Sequence, residues 1–180
     1  MKELEVTILD INPKEVEAKL SSLGAKPILD TRFSVDWYGP KGLTHNGDDP
    51  WFLRVRTTSD GKSRVTWKGL SKTTGVSREH REIDFDVPDP KEMGEMFLVI
   101  GLECYAHQDK DRKSWVLKDW RFDLDQYPNM PAYLEIEGPS EERVQEAIKL
   151  LKLEGNKTSN SGERILIQKE YGLDWNNMRF

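Results

Sequence analysis

Charged side chains of one sign recur two positions apart along several segments of this chain, and they are the residues most capable of chemistry. The cations are Arg54 with Arg56 and Lys110 with Arg112, and Lys68 stands two positions after Thr66. The carboxylates are Glu3, Glu5, Glu82, Asp84, Asp123, Asp125, Glu135 and Glu137. Arginine offers forked donors to phosphate oxygens, and paired carboxylates supply the hard oxygen ligands that Mg²⁺ and Mn²⁺ prefer. Basic and acidic walls around one cavity would therefore suit a complex of a metal ion with a polyphosphate.

The spacing of these residues predicts β-strands. Because alternate side chains of a strand point to opposite faces, Arg54 and Arg56 share one face of PWFLRVRTT and Val55 lies on the other. The other predicted strands are KELEVTIL, SRVTWKGL, HREIDFDV, YAHQDKDRKSWVL, WRFDLDQY and AYLEIEG. Two arrangements are compatible with this alternation. The charged faces either meet solvent on the outside of a sandwich, or line the interior of a barrel whose apolar exterior is covered.

Three predicted amphipathic helices favour the barrel. The segments NPKEVEAKLSSLG, DPKEMGEMFLVIG and SEERVQEAIKLLKLEG begin with the capping residues Asn12, Asp89 and Ser140. The predicted apolar stripe of the second helix consists of Met93, Met96, Phe97 and Ile100. Each stripe must be buried against an apolar surface. We therefore expect one α+β domain over residues 1–180, with the helices covering the apolar exterior of an antiparallel barrel.

Composition excludes several classes of protein. The 180 residues include 27 Lys and Arg against 32 Asp and Glu, a net charge of -5, so an extended nucleic-acid surface is not expected. No apolar run approaches the ~20 residues that span a membrane, and neither a P-loop nor a dinucleotide-binding glycine motif occurs. Cys104 is the only cysteine, and the first residues lack the apolar run of a signal peptide, which leads us to expect a cytoplasmic location.

Seven short motifs occur in a recognisable order along the chain. They are Glu3-Leu4-Glu5, Leu53-Arg54-Val55-Arg56, Thr66-Trp67-Lys68-Gly69, Arg81-Glu82-Ile83-Asp84, Lys110-Asp111-Arg112, Leu124-Asp125 and Leu134-Glu135-Ile136-Glu137. This order resembles the CYTH superfamily of triphosphate tunnel metalloenzymes, which includes class IV adenylate cyclases, thiamine triphosphatases and inorganic triphosphatases. The resemblance runs from Glu3 to about Gly138. It implies a closed eight-stranded antiparallel barrel, the triphosphate tunnel, with a charged interior.

The resemblance also implies roles for individual residues. Metal ligands would be Glu3, Glu5, Glu135 and Glu137, and the metal Mg²⁺ or Mn²⁺. The phosphates would be bound by Arg54, Arg56, Lys68, Lys110 and Arg112. Catalytic support would come from Glu82, Asp125 and Lys157, the last near the mouth of the tunnel. Asp36 and Tyr38 match an architectural strand of the family, whereas Thr7 stands where the family's opening motif has a lysine.

Three functions follow from the resemblance as hypotheses. The leading one is metal-dependent hydrolysis of inorganic triphosphate, thiamine triphosphate or a nucleoside triphosphate. The alternative is a class IV-type adenylate cyclase that makes cyclic AMP and pyrophosphate. Only Met1 and Lys2 precede Glu3, where such cyclases often have a His-Phe pair, and this favours hydrolysis. A non-catalytic module that binds triphosphate or polyphosphate is the third hypothesis, supported by Thr7. The expected partner is a small triphosphate, and the expected assembly is a monomer or homodimer.

Overall fold

The structure, a computed structural model, describes residues 2–43, 45, 49–69, 72–75 and 77–180; for residues 2, 3, 73, 74 and 78–80 it describes the backbone only. The strands in this part of the chain are β1 (Lys2–Ile8), β2 (Lys26–Pro40), β3 (Trp51–Thr58), β4 (Ser63–Gly69), β5 (Lys72–Thr74), β6 (Ser77–Val87), β7 (Leu102–Leu117), β8 (Trp120–Gln126), β9 (Tyr133–Gly138), β10 (Thr158–Ser159) and β11 (Asn177–Met178). The helices are α1 (Pro13–Ser22), α2 (Pro90–Val99), α3 (Glu141–Leu151) and α4 (Glu163–Glu170).

The strands form one large sheet in the order β10-β1-β9-β8-β7-β2-β3-β4-β6-β5, and β1 also pairs with β6. All pairings are antiparallel except that of β11 with β7. The prediction of an α+β fold built on an antiparallel sheet is confirmed. The predicted number of eight strands is wrong, because the described sheet has eleven. The short strands β5, β10 and β11, of two or three residues each, add to the eight long ones.

The register of the strands gathers the charged side chains on one face of the sheet, here called the charged face. Residues directly opposite each other in a sheet share a face. The opposed pairs include Glu5 with Glu137, Arg54 with Thr66, Lys68 with Glu82, and Arg112 with Asp125. The predicted alternation therefore persists across neighbouring strands, and it leaves the other face apolar.

The first three helices pack on the apolar face. Val16 and Leu20 of α1 are buried in the same cluster as Ile148 of α3, together with sheet residues such as Ile136. The predicted caps are confirmed, since the side chains of Asn12, Asp89 and Ser140 each accept a hydrogen bond from the first turn of their helix. None of the described helices has both the length and the apolar character needed to cross a membrane.

The predicted stripe of α2 is only partly correct. Phe97 is buried against Tyr38 and other residues of the apolar face, and Met93 packs beside it. Met96 and Ile100, however, are 48% and 66% exposed. The buried cluster under α2 is small, so the helix contacts the sheet along a narrow line and its flanking apolar side chains stay in solvent.

A second apolar cluster lies on the charged face, which the sequence analysis did not predict. Leu166 and Ile167 of α4 pack there with Trp175, Trp37 and Tyr133. Trp37 is opposite Arg54 in the register of β2 and β3, and Tyr133 is opposite Asp125, so both belong to the charged face. One part of the predicted charged interior is therefore filled by apolar side chains and a fourth helix.

Candidate active site

A cavity of about 250 Å³ lies on the charged face. Its lining comes from all eight long strands and from the first turn of α4. Most of the predicted site residues line it, namely Glu5, Arg54, Arg56, Lys68, Glu82, Lys110, Arg112, Glu135 and Glu137. The structure therefore brings together acidic and basic side chains that are far apart in the sequence, while their individual roles stay predictions.

Two predicted site residues are placed differently, and the side chain of a third is not described. Asp125 is fully buried behind Lys110 and Arg112 and does not line the cavity. Lys157 is not in the lining either: its side chain is 53% exposed and forms an ion pair with Glu170 at the protein surface. The side chain of Glu3 lies outside the described residues. Lys157 therefore contributes no side chain to the lining, and the catalytic role expected of it near the mouth stays a prediction.

Arg112 is surrounded by carboxylates. Its Nε donates to Oδ1 of Asp125 at 2.5 Å, its Nη1 to Oδ2 of Asp123 at 2.5 Å, and its Nη2 to Oε2 of Glu135 at 2.7 Å. Burial alone would lower the pKa of Arg112, but these carboxylates raise it well above its ordinary value. Arg112 therefore lies within an acidic cluster at the cavity wall, and the phosphate contact expected of it stays a prediction.

The two lysines of the cavity, Lys68 and Lys110, also lie next to carboxylates. Lys68 Nζ lies 2.8 Å from Oε2 of Glu82. Lys110 Nζ lies 2.9 Å from Oδ2 of Asp125 and 3.2 Å from Oε2 of Glu163, the first residue of α4. Each lysine in the cavity therefore already has a carboxylate beside it.

Arg54 and Arg56 differ from the other cations. Neither forms an ion pair with a carboxylate in the described part of the chain; instead, Arg54 lies 5.4 Å from the centre of the Trp37 ring and Arg56 lies 4.6 Å from that of Phe33. Burial and the positive charges of Arg54 and Arg112 hold the pKa of Arg56 well below its ordinary value. Because a guanidinium keeps its charge, the cavity carries positive charge that an anion would neutralise.

One corner of the cavity is acidic. Glu5 and Glu135 are both buried there, and burial together with the charge of Glu5 raises the pKa of Glu135 to about 7 despite Arg112. A divalent cation would relieve this repulsion. Among the described residues, no group of three or more potential ligands is arranged around one metal position. The pair nevertheless fits Mg²⁺, which proteins often hold through one or two carboxylates, with substrate phosphates and water completing its coordination.

An aromatic wall closes another side of the cavity and consists of Trp37, Phe52 and Trp175. The ring of Trp37 is tilted against that of Trp175 at 5.0 Å and meets that of Phe52 edge-on at 6.3 Å. Arg164, the second residue of α4, lies 4.7 Å from the Trp175 ring. The sequence analysis assigned no functional role to these residues or to Glu163.

Comparison with known proteins identifies the family. A family model described as the CYTH domain matches residues 1–164. The chain belongs to the CYTH family. The resemblance inferred from the seven motifs is thereby confirmed. A search of curated proteins finds no match.

Solved structures share the fold of this CYTH protein. A Pyrococcus horikoshii OT3 protein is 24% identical with a TM-score of 0.71, covering 84% of this chain and 91% of its own. A Vibrio parahaemolyticus protein assigned as an adenylate cyclase is 14% identical with a TM-score of 0.73, covering 86% and 92%. A Hippeastrum protein for which a dominant triphosphatase activity is described is 14% identical with a TM-score of 0.66, covering 95% of both chains. At these identities the likeness shows the fold.

Proposed function

We propose that this CYTH protein hydrolyses a triphosphate compound in a metal-dependent reaction. The observation that carries the proposal is the pair of inward-facing arginines, Arg54 and Arg56, neither of which forms an ion pair with a carboxylate in the described structure. Their charge lies in the same cavity as the acidic corner of Glu5 and Glu135. A phosphate chain that carries a divalent cation would neutralise both regions at once.

We also propose that the eight long strands close into a tunnel around this cavity, within one domain over residues 1–180. Two observations support closure: β1 pairs with β6 as well as with β9, and each of the eight strands contributes to the cavity lining. A tunnel would exclude bulk water and so strengthen every electrostatic interaction with the substrate. It would also orient a phosphate chain along its length.

The mechanism follows from what phosphoryl transfer requires. Catalysis of this reaction consists mainly of positioning and stabilisation of charge on the transferred group. Arg54, Arg56 and Lys68 would bind the phosphate oxygens. Glu5 and Glu135, with Glu137 beside them, would hold Mg²⁺ or Mn²⁺, which when bound neutralises phosphate charge.

Two further carboxylates would act without contacting phosphate. Glu82 lines the cavity beside Lys68, which supports a role for it in orienting the attacking water. Asp125 is a positioning residue, because it fixes Lys110 and Arg112 from behind.

The aromatic wall favours an organic triphosphate over inorganic triphosphate. An aromatic ring attached to the phosphate chain could pack against Trp37, Phe52 or Trp175 and gain stacking energy that a bare phosphate chain cannot. We expect kcat/KM for ATP or thiamine triphosphate to exceed that for inorganic triphosphate by about tenfold, equivalent to ~1.4 kcal/mol. Steady-state phosphate release from the three compounds measures this, and a preference for inorganic triphosphate would contradict it.

Cyclisation of ATP is the second candidate function, and the same aromatic wall favours it. In that reaction the 3′-hydroxyl of the ribose takes the place of water, attacks the α-phosphate and releases pyrophosphate. The products therefore separate the two reactions. A non-catalytic binding module would show tight binding of triphosphate without any product.

Binding of a phosphate chain is expected to stabilise the fold. Inorganic triphosphate should raise the melting temperature more than orthophosphate does, because more of its charges can reach Arg54 and Arg56. A ligand of the folded state at ~100 times its Kd stabilises by about 2.7 kcal/mol. Equal shifts from both anions in thermal melts at matched ionic strength would argue against a phosphate-chain site.

Thr7 offers a test of the missing family lysine. It is 3% exposed and lies opposite Glu135 in the register of β1 and β9. We expect Thr7→Lys to raise kcat/KM for the preferred triphosphate about tenfold, because one added charge-assisted contact of ~1.4 kcal/mol would bind phosphate. Thr7→Met, of similar length but uncharged, is the control. A loss of activity in Thr7→Lys, with an unchanged circular dichroism spectrum, would show that the site is adapted to the absence of this lysine.

A further inference from the structure

Glu163 is an anion built into a cavity that otherwise suits an anionic ligand. It belongs to α4, and its carboxylate accepts from Nζ of Lys110 at 3.2 Å. Burial by itself would raise its pKa, but Lys110, Arg54 and Arg112 hold the pKa of Glu163 well below its ordinary range. The side chain is therefore a carboxylate under all ordinary conditions, and the contact with Lys110 holds its charge at this place in the cavity.

The position of Glu163 relates it to the aromatic wall. The next residue in α4, Arg164, lies against the Trp175 ring, and Arg54 lies against the Trp37 ring. Glu163 interacts with Lys110 and with Arg54. Its negative charge therefore lies in the part of the cavity where these cations are next to the aromatic side chains. An additional phosphate at this point would meet a carboxylate of the same sign, and such juxtaposition is strongly unfavourable.

We propose that Glu163 is a specificity-determining residue that excludes an additional phosphate from the aromatic end of the cavity. The inference rests on the proposed function and deepens it. The site then takes a chain of three phosphates that ends in an uncharged organic group, as in a nucleoside triphosphate. Longer inorganic chains, and inorganic triphosphate with its extra terminal charge, are discriminated against by the same carboxylate.

The test compares Glu163→Gln with the wild type in calorimetric titrations with ATP, inorganic triphosphate and inorganic tetraphosphate at one Mg²⁺ concentration. Glutamine keeps the shape and an acceptor for Lys110, which also retains Asp125 as its partner. The variant should bind inorganic triphosphate and tetraphosphate at least tenfold more tightly than the wild type, while the Kd for ATP changes less than threefold. Glu170→Gln is the matched control, because Glu170 lies in the same helix but pairs with Lys157 at the surface.

A uniform change for all three ligands, or no change, would overturn the inference. If the variant does not fold, titrations of the wild type alone still test the inference. The wild type should bind ATP more tightly than inorganic tetraphosphate, and the reverse order would overturn the inference. Failure of the proposed function is distinguishable. A wild type that binds these ligands with the expected order but releases no product contradicts hydrolysis and supports the role of Glu163, whereas a wild type that binds none of them contradicts both.

Discussion

Arg56→Met is expected to lower kcat/KM for the preferred triphosphate by about 10²–10³-fold and, at the same time, to stabilise the unliganded protein. Activity should fall because a preorganised cation that faces the phosphates is lost. Stability should rise, by roughly 0.5–2 kcal/mol, because burial and the charges of Arg54 and Arg112 disfavour charged Arg56 more than nearby carboxylates favour it. The paired measurement is steady-state kinetics and denaturant unfolding of the same preparation.

The two effects of this substitution must occur together. Arg56 is opposite Arg64 across β3 and β4, and this like-charge pairing adds to the repulsion that the substitution removes. Arg64→Met serves as a control. Because Arg64 already has Asp86 as a partner, removing the Arg64 charge should relieve less repulsion and raise stability less. A variant of Arg56 that loses stability, or that retains full activity, would show that this arginine is structural.

Arg112→Met is expected to have the opposite effect on stability, although Arg112 lies in the same cavity. The substitution leaves Asp123, Asp125 and Glu135 without the guanidinium that joins them. Removing one partner of a buried ionic cluster costs about 3–5 kcal/mol, because the remaining charges stay desolvated. Denaturant unfolding at neutral pH measures this loss, and the comparison with Arg56→Met separates a structural arginine from a binding one.

The pH dependence of Arg112→Met provides a second check. In the wild type, burial would raise the pKa of Asp123, but Arg112 and Arg121 lower it below its ordinary value. Its contribution to stability is therefore present above the unfolded-state pKa and is lost as the pH falls through the folded-state pKa. Glu135, whose pKa is already about 7, takes up a proton in the wild type as the pH falls from about 7 to about 5. Without Arg112, burial dominates and the other carboxylates also take up protons more readily, so the variant should gain more stability than the wild type over this fall in pH. A variant that gains no more stability than the wild type as the pH falls from about 7 to about 5 would contradict the assigned ionic cluster.

The charged residues of the site could be predicted because most of them recur two positions apart, which is the spacing of side chains on one face of a strand. Arg54 and Arg56, or Glu135 and Glu137, share a strand face whatever the topology is, and the family motifs supply the order of the strands. The same alternation applies to β2, where Phe33, Val35 and Trp37 lie on the face of the sheet that carries the cavity. These residues are apolar, however, so an analysis guided by charge gave them no functional weight.

Other features depend on contacts that no local pattern encodes. Glu163 contacts Lys110, which is fifty-three positions earlier in the sequence. The segment GERILIQKE shows no pattern of charges that would place Glu163 on the charged face. Lys157 forms an ion pair with Glu170, which belongs to α4, a helix that the sequence analysis did not predict. Met96 and Ile100 follow the helical period correctly, but the apolar surface beneath α2 is too narrow to cover them.

The most direct test of the proposed activity is product analysis by ³¹P nuclear magnetic resonance after incubation with ATP and Mg²⁺ or Mn²⁺. Arg56→Met is included as the inactive control. Hydrolysis at the terminal phosphate predicts orthophosphate and ADP from the wild type, no product without metal, and little from the variant. Cyclic AMP with pyrophosphate would instead establish the cyclase, and equal orthophosphate release by the wild type and Arg56→Met would contradict the assignment of the activity to this cavity.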